Sequence, residues 1–258
     1  EVSLLDGKTR PRARLTAAVV SILPRPSWLV ATGGRSAWIV PEDGPVKELA
    51  LERAIGRATA SADGRLVAAC DRLRGDVRAW EMSADGSTAR SIPLDVRNPG
   101  ATLSLAFSPG GESLAAGDGV GAVRIWEIPA GRSRPGMAAA RGRVRHVAFS
   151  TDGRGLLQVG DGGEALLWEF GVGRGARRVG GSSRFQPTGG FLAGGDLALI
   201  DVEGMVVVHD RETLVRKPVV FKKPPTADGG ASSWGFHRLA IAPDGRIAAG
   251  SRDGPLAC

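Results

Sequence analysis

The sequence predicts an all-β chain made of repeated four-stranded antiparallel sheets, on three observations. Short β-branched segments ending in an aromatic residue and an acid recur: VRAWEM at Trp80, VRIWEI at Trp126, ALLWEF at Trp168 and VVVHDR at His209. Their steps are 46, 42 and 41 residues. In the first three units an Asp-Gly or Gly-Gly pair precedes the Trp by 16 or 17 residues. Glycine is abundant, at 38 residues of 258, which suits a chain that turns every few residues. A period in the low forties with this composition marks a β-propeller.

Within each unit the elements follow one order. An apolar first strand opens it, as in LSLAFS before Pro109 and VRHVAFS before Thr151. Asp63-Gly64, Gly110-Gly111, Asp152-Gly153 and Asp244-Gly245 come next and predict two-residue hairpin turns, whose central positions need positive φ. The second strands are RLVAAC, SLAAG, GLLQVG and RIAAGS, and the third strands carry the Trp or His209. A more polar stretch completes each unit (ARSIPLDV, RPGMAAAR, ARRVGG, RKPVVF) and reads as an outer strand, which needs one neighbour and tolerates Pro. Second and third strands alternate imperfectly, and Met205 to Val208 are apolar throughout, as expected of strands buried on both faces. Val40 in AWIVP, 40 residues before Trp80, fits as a degenerate further copy.

The segments Leu105 to Ile128, Val147 to Phe170 and, less closely, Thr59 to Met82 resemble the WD-repeat family, with Leu239 to Gly254 as a half-repeat. The resemblance rests on AFSPGG and its variants, followed about 16 residues later by Trp. It departs from the family in ending third strands Trp-Glu rather than Trp-Asp and in lacking the Gly-His pair that opens a typical repeat. The Asp usually found six residues before the Trp is replaced by Arg74, Val120, Gly162 and Glu203. The family's buried polar network is therefore not expected in its usual form, leaving the sheets held mainly by apolar packing and ladder hydrogen bonds. The resemblance has a divergent, bacterial cast.

The chain is read as one domain, 1–258. Leu5 and Asp6 align with the third-strand Trp-Asp places, so residues 1–14 and 230–258 complete one composite blade, as family members often do to remove an exposed edge. Five internal blades and this one make six. Seven blades, with the chain a segment of a longer protein, is the alternative. No apolar run approaches the about 18 residues that span a membrane. The absence of a charged-then-apolar leader favours the cytoplasm, although a chain beginning at Glu1 leaves a processed leader or a larger parent open.

The formal net charge is +7, and cations cluster after the third strands: Arg141, Arg143 and Arg145; Arg174, Arg177 and Arg178; Arg216 and Lys217. They form a candidate basic rim for acidic partners. The competing account makes them solubilising charges that deter edge-to-edge pairing. Nucleic acid is not expected, since no aromatics interleave with these cations to stack bases.

Catalytic groupings are sparse. His146 falls in a first strand and His209 replaces a Trp, so both read as structural. His237 lies near Ser232 and Ser233, where no third, orienting group completes a nucleophile-base set. Neither zinc-ligand spacing nor a calcium-loop ladder is present, and no strong helix follows GVGRGARR, so no metal or cofactor is expected. Cys70, in LVAAC, reads as a small buried hydrophobe, while Cys258 is the last residue. The resemblance then implies a non-enzymatic scaffold that binds a protein or peptide partner. A propeller hydrolase or lactonase with a central-channel site is the alternative; it would need acids and histidines at first-strand starts, where apolar residues and Arg stand.

Overall fold

The computed structural model describes residues 2–5, 11–15, 21–24, 28–33, 36–41, 46–50, 55–71, 75–84, 87–95, 100–134, 137, 142–161, 164–171, 175–181, 188–201, 205–218, 238–241 and 246–250. The chain falls into two compact units, Glu1–Asp118 with Arg124–Met137 and Gly119–Val123 with Ala138–Cys258.

Strands β1 (Val2–Leu5) and β2 (Pro11–Leu15) pair as a two-stranded sheet. Sheet I follows with β3 (Ser21–Pro24), β4 (Trp28–Gly33), β5 (Ser36–Pro41) and β6 (Lys47–Ala50). Sheet II holds β7 (Ile55–Ala60), β8 (Leu66–Asp71), β9 (Val77–Met82) and β10 (Ala89–Ile92). Sheet III holds β11 (Thr102–Phe107), β12 (Ser113–Asp118), β13 (Val123–Glu127) and β14 (Arg132–Ser133). Sheet IV holds β15 (Val144–Phe149), β16 (Gly155–Gly160), β17 (Glu164–Glu169) and β18 (Arg177–Gly181). Sheet V holds β19 (Gly189–Phe191), β20 (Leu197–Ile200), β21 (Val206–His209) and β22 (Arg216–Lys217). A last pair, β23 (Arg238–Ile241) and β24 (Ile247–Gly250), forms another two-stranded sheet. Every four-stranded sheet places its strands in chain order, a propeller-like repeat of antiparallel meanders.

The second strands β8, β12, β16 and β20 are buried at every position, which is why they read as unbroken apolar runs. Alternate residues on them face opposite neighbours, by the two-residue period of a strand. Val67 and Ala69 of β8 join Ile39 of sheet I in one apolar cluster with Trp80 and Met82. Leu66 and Ala68 turn the other way, to Leu114, Ala116, Trp126 and Ile128 of sheet III. In the second unit, Leu157 and Val159 of sheet IV pack with Phe191, Leu197 and Leu199 of sheet V. Within each unit the core thus consists of seams between consecutive sheets.

Three of the four expected two-residue hairpins take another form, and the fourth, Asp244-Gly245, lies outside the described residues. Gly64, Gly111, Gly153 and Gly195 have φ of 78°, 82°, 69° and 90°, and Asp63 and Asp152 do not share that region. Each glycine instead closes a four-residue turn by donating its N–H to a carbonyl three residues earlier, at Ser61, Ser108, Ser150 and Leu192. A turn followed by one left-handed glycine is the longer hairpin form. The serine explains the choice. Ser61, Ser108 and Ser150 are buried, and each hydroxyl accepts the N–H that starts the next strand, from Leu66 (2.9 Å), Ser113 (3.0 Å) and Gly155 (2.7 Å).

A second polar repeat sits at the other end of the second strands. The buried Asp118 accepts the N–H of Gly100 at 3.1 Å, Asp161 that of Arg143 at 2.9 Å, and Asp201 that of Met205 at 2.9 Å. These polar contacts add to the apolar packing and ladder hydrogen bonds expected to be the main ties. Serine at one end and aspartate at the other satisfy backbone donors that the loops leave over.

Candidate functional site

Trp80, Trp126, Trp168 and His209 stand on β9, β13, β17 and β21, the third strands of sheets II to V. Trp80 pairs with Val67 and Trp168 with Leu156, each the second residue of its second strand, and Val40 pairs with Leu29 in the same way. Trp126 is wholly buried, and its indole Nε1 has no hydrogen-bond partner among the described residues. Trp168 is half-buried and donates from Nε1 to Oε1 of the buried Gln158 at 3.0 Å. His209 Nδ1 lies 3.1 Å from the carbonyl of Leu214.

The cations of the expected rim are mostly tied to acids. Arg145 pairs with Asp161 (3.3 Å), Arg177 with Glu169 (3.0 Å), Arg178 with Glu164 (2.5 Å), Arg216 with Asp201 (3.8 Å), and Lys217 with Asp196 (2.6 Å) and Asp210 (3.1 Å). Arg143 precedes β15 and Arg145 lies within it, in a first strand rather than on an outer strand or connecting loop. Arg145 fills the register shift where β15 bulges against β16. Arg141 and Arg174 lie outside the described residues, as do His237, Ser232, Ser233 and Cys258. Cys70 is buried, its thiol pushed up to about 11 chiefly by that burial.

The second unit carries a polar cleft of about 680 Å³ where the turns of sheet IV meet those of sheet V. Asp152, Arg154, Glu169 and Phe170 line one wall. Gly194, Gly195, Asp196 and the turn Asp210–Glu212 form the other, with Lys217. That volume suits a side chain or a small ligand.

Arg211 crosses the cleft. Its Nη1 is 2.8 Å from Asp152 Oδ2, its Nε 3.6 Å from Glu169 Oε1, and its guanidinium carbon 5.7 Å from the centre of the Phe191 ring. Arg177 braces the same turn from sheet IV, donating to the carbonyls of Arg211 (2.7 Å) and Glu212 (2.6 Å). Asp210 caps the turn, accepting from the N–H of Glu212 (3.0 Å), the N–H of Thr213 (2.9 Å) and the Thr213 hydroxyl (3.0 Å).

Two carboxylates are held firmly anionic. Burial works against Asp152, yet hydrogen bonds from the Ser150 hydroxyl and the Arg154 N–H, with the Arg211 guanidinium, hold it down at about 2. The Thr213 N–H, then the Lys217 ammonium and the Thr213 hydroxyl, hold Asp210 well below the usual carboxylate range. Lys217 is raised in turn, by Asp196 first and Asp210 second. Such an arrangement recognises charge. Among the described residues no set of three or more His, Cys, Asp or Glu side chains is placed to hold a metal ion. Sequence reasoning missed Arg211, although VVVHDR places it where VRAWEM, VRIWEI and ALLWEF have Met82, Ile128 and Phe170.

No protein-family model matches the chain, and no curated protein matches it. Solved structures do, in 1592 chains. One is the crystal structure of a computationally designed protein, Ika8, with a TM-score of 0.71. The match covers 97% of this chain and 74% of that one at 16% sequence identity. At that identity the likeness shows the fold alone.

Proposed function

We propose that the chain is a six-bladed β-propeller of the WD-repeat kind, closed by a blade composed from both of its ends. In this proposal it acts as a non-enzymatic scaffold that binds a protein or peptide partner. The observation that carries the partner-binding reading is the polar cleft, framed by turns while the strands beneath keep one pattern. Constant strands and varied turns are how a rigid scaffold presents recognition residues. The recurring turn serines and third-strand aromatics support the family reading.

Affinity capture with cross-linking from the source cell tests this, using the wild-type chain beside a variant with Arg154→Glu and Glu212→Lys. Both substituted residues are exposed and line the cleft from opposite walls. A partner cross-linked at the cleft and lost from the variant is expected. Equal capture by both proteins, together with turnover of a lactone, would contradict it.

A further inference from the structure

The seam between sheets IV and V departs at two facing positions from the seam between sheets II and III. In the seam between sheets II and III, Leu66 and Ile128 share one apolar cluster with Phe107. The equivalent residues in the second unit are Gly155, Arg211 and Phe191. The phenylalanine is kept, one aliphatic residue has become glycine and the other arginine. At the Arg211 place, two residues after the repeat aromatic, sheets II, III and IV carry the apolar Met82, Ile128 and Phe170, and a local departure from such a repeated rule marks a place shaped by something besides folding.

The two changes fit each other. A Cβ at Gly155 would stand 3.0 Å from Arg211 Nη2, 3.2 Å from Ser150 Oγ and 3.5 Å from the Phe191 ring, so the missing side chain makes room for the guanidinium. On the far side, a Cβ at Gly195 would lie 3.9 Å from Arg211 Nη1 and Cδ. The guanidinium therefore occupies a slot between two glycines, over an aromatic face, with the Asp152 and Glu169 carboxylates against it. Planar cation, aromatic face and carboxylates are the elements of arginine recognition.

The turn that delivers Arg211 is strained. Leu214 has φ of 58°, the one non-glycine residue in that region among those described. Its conformation is held by Asp210, which accepts the N–H of Leu214 through its carbonyl at 2.9 Å, and by His209 against the Leu214 carbonyl. Backbone strain of this kind clusters at active sites, ligand clamps and switch regions.

We propose that Arg211 is an internal occupant of an arginine-recognition site, displaced when an arginine of a protein partner enters the cleft. In the free protein the slot is self-filled, and release of the Asp210–Leu214 turn opens it. Its biological use rests on the partner-binding reading above, but the slot itself is testable without any partner.

Arg211→Ala should empty the slot, and N-acetyl-arginine amide is the probe. Thermal melting at rising probe concentration should show a saturable increase for Arg211→Ala and none for the wild type. Half-saturation with N-acetyl-lysine amide should need about tenfold more probe, because an ammonium lacks the planar, forked geometry. Adding Asp152→Asn to Arg211→Ala should weaken the response to the arginine probe by about tenfold, a value typical of a charged hydrogen bond. Should Arg211→Ala fail to fold, refolding with the arginine probe replaces melting, and recovery is then the expected result. Absence of any saturable effect, absence of recovery, or equal effects of the two probes would overturn the proposal. Loss of the slot would leave the scaffold reading standing, since that is tested by partner capture.

Discussion

At the scale of single residues, the three repeat tryptophans are not equivalent. Trp126 is wholly buried and contributes through packing alone, while Trp168 gives up some burial and gains the acceptor of Gln158. Ala116 stands in sheet III where Gln158 stands in sheet IV, so Trp126 has no matching acceptor. Trp126→Ala should cost about 3–5 kcal/mol in chemical denaturation, and Trp168→Ala should fall at the low end of that range. A double-mutant cycle between Trp168→Phe and Gln158→Leu should give a coupling of about 1 kcal/mol. Coupling near zero would mean that the indole and the amide do not meet. The third-strand aromatics were legible because their spacing repeats. The Gln158 partner was not, because it occurs in one unit only and a single polar residue in an apolar run has no period to mark it.

At the scale of elements, the hairpin between first and second strands combines three devices in four or five residues. In sheet IV the Ser150 carbonyl closes the turn, its hydroxyl receives the Gly155 N–H and donates to Asp152, and Gly153 supplies φ of 69°. Ser150→Ala should destabilise by about 1–3 kcal/mol, since it leaves a buried N–H without its acceptor. Gly153→Ala should cost about 1–2 kcal/mol by forcing a side chain into the left-handed region. Urea melts of the two variants check both values, and a Ser150→Ala cost below about 0.5 kcal/mol would remove the hydroxyl from this role. The dipeptides Asp-Gly and Gly-Gly announced a turn correctly but not its length, because the deciding hydrogen bond comes from a serine two residues earlier. The aspartates ending LVAACD, SLAAGD, LLQVGD and LALID were also in view. Their role is not legible from the family's pattern, which puts its acid before the Trp, whereas the carboxylate here serves the backbone from the end of the second strand.

At the scale of the molecule, one rule recurs in both units: buried second strands send alternate side chains into the seams on either side. That pattern was readable in the sequence, since runs buried on both faces leave no polar residue to interrupt them. The basic clusters were readable as charge but not as a rim, because each partnering acid lies on a different strand or in the turn beside one. The seam between sheets IV and V adds a pH dependence. Asp152 sits at about 2 in the folded chain against 3.8 for an unpaired aspartate. A carboxyl depressed by folding adds stability that is complete above its unfolded value and is lost as pH falls through its folded value. The stability difference between the wild type and Asp152→Asn should therefore be constant above about pH 5 and shrink between about pH 4 and 2. Thermal melts across that range check it, and a difference that persists unchanged at pH 2 would contradict the pairing. On the proposal that Arg211 serves recognition, this seam has given up apolar packing. The most direct test is the melting temperature of the chain carrying Gly155→Leu with Arg211→Ile, which installs the Leu66–Phe107–Ile128 arrangement of the seam between sheets II and III. Replacing a charged contact by well-packed apolar groups is often neutral or stabilising, so the melting temperature should hold or rise. A fall of about 4 °C or more, roughly 2 kcal/mol in a chain of this size, would show that Arg211 is there to hold the fold together.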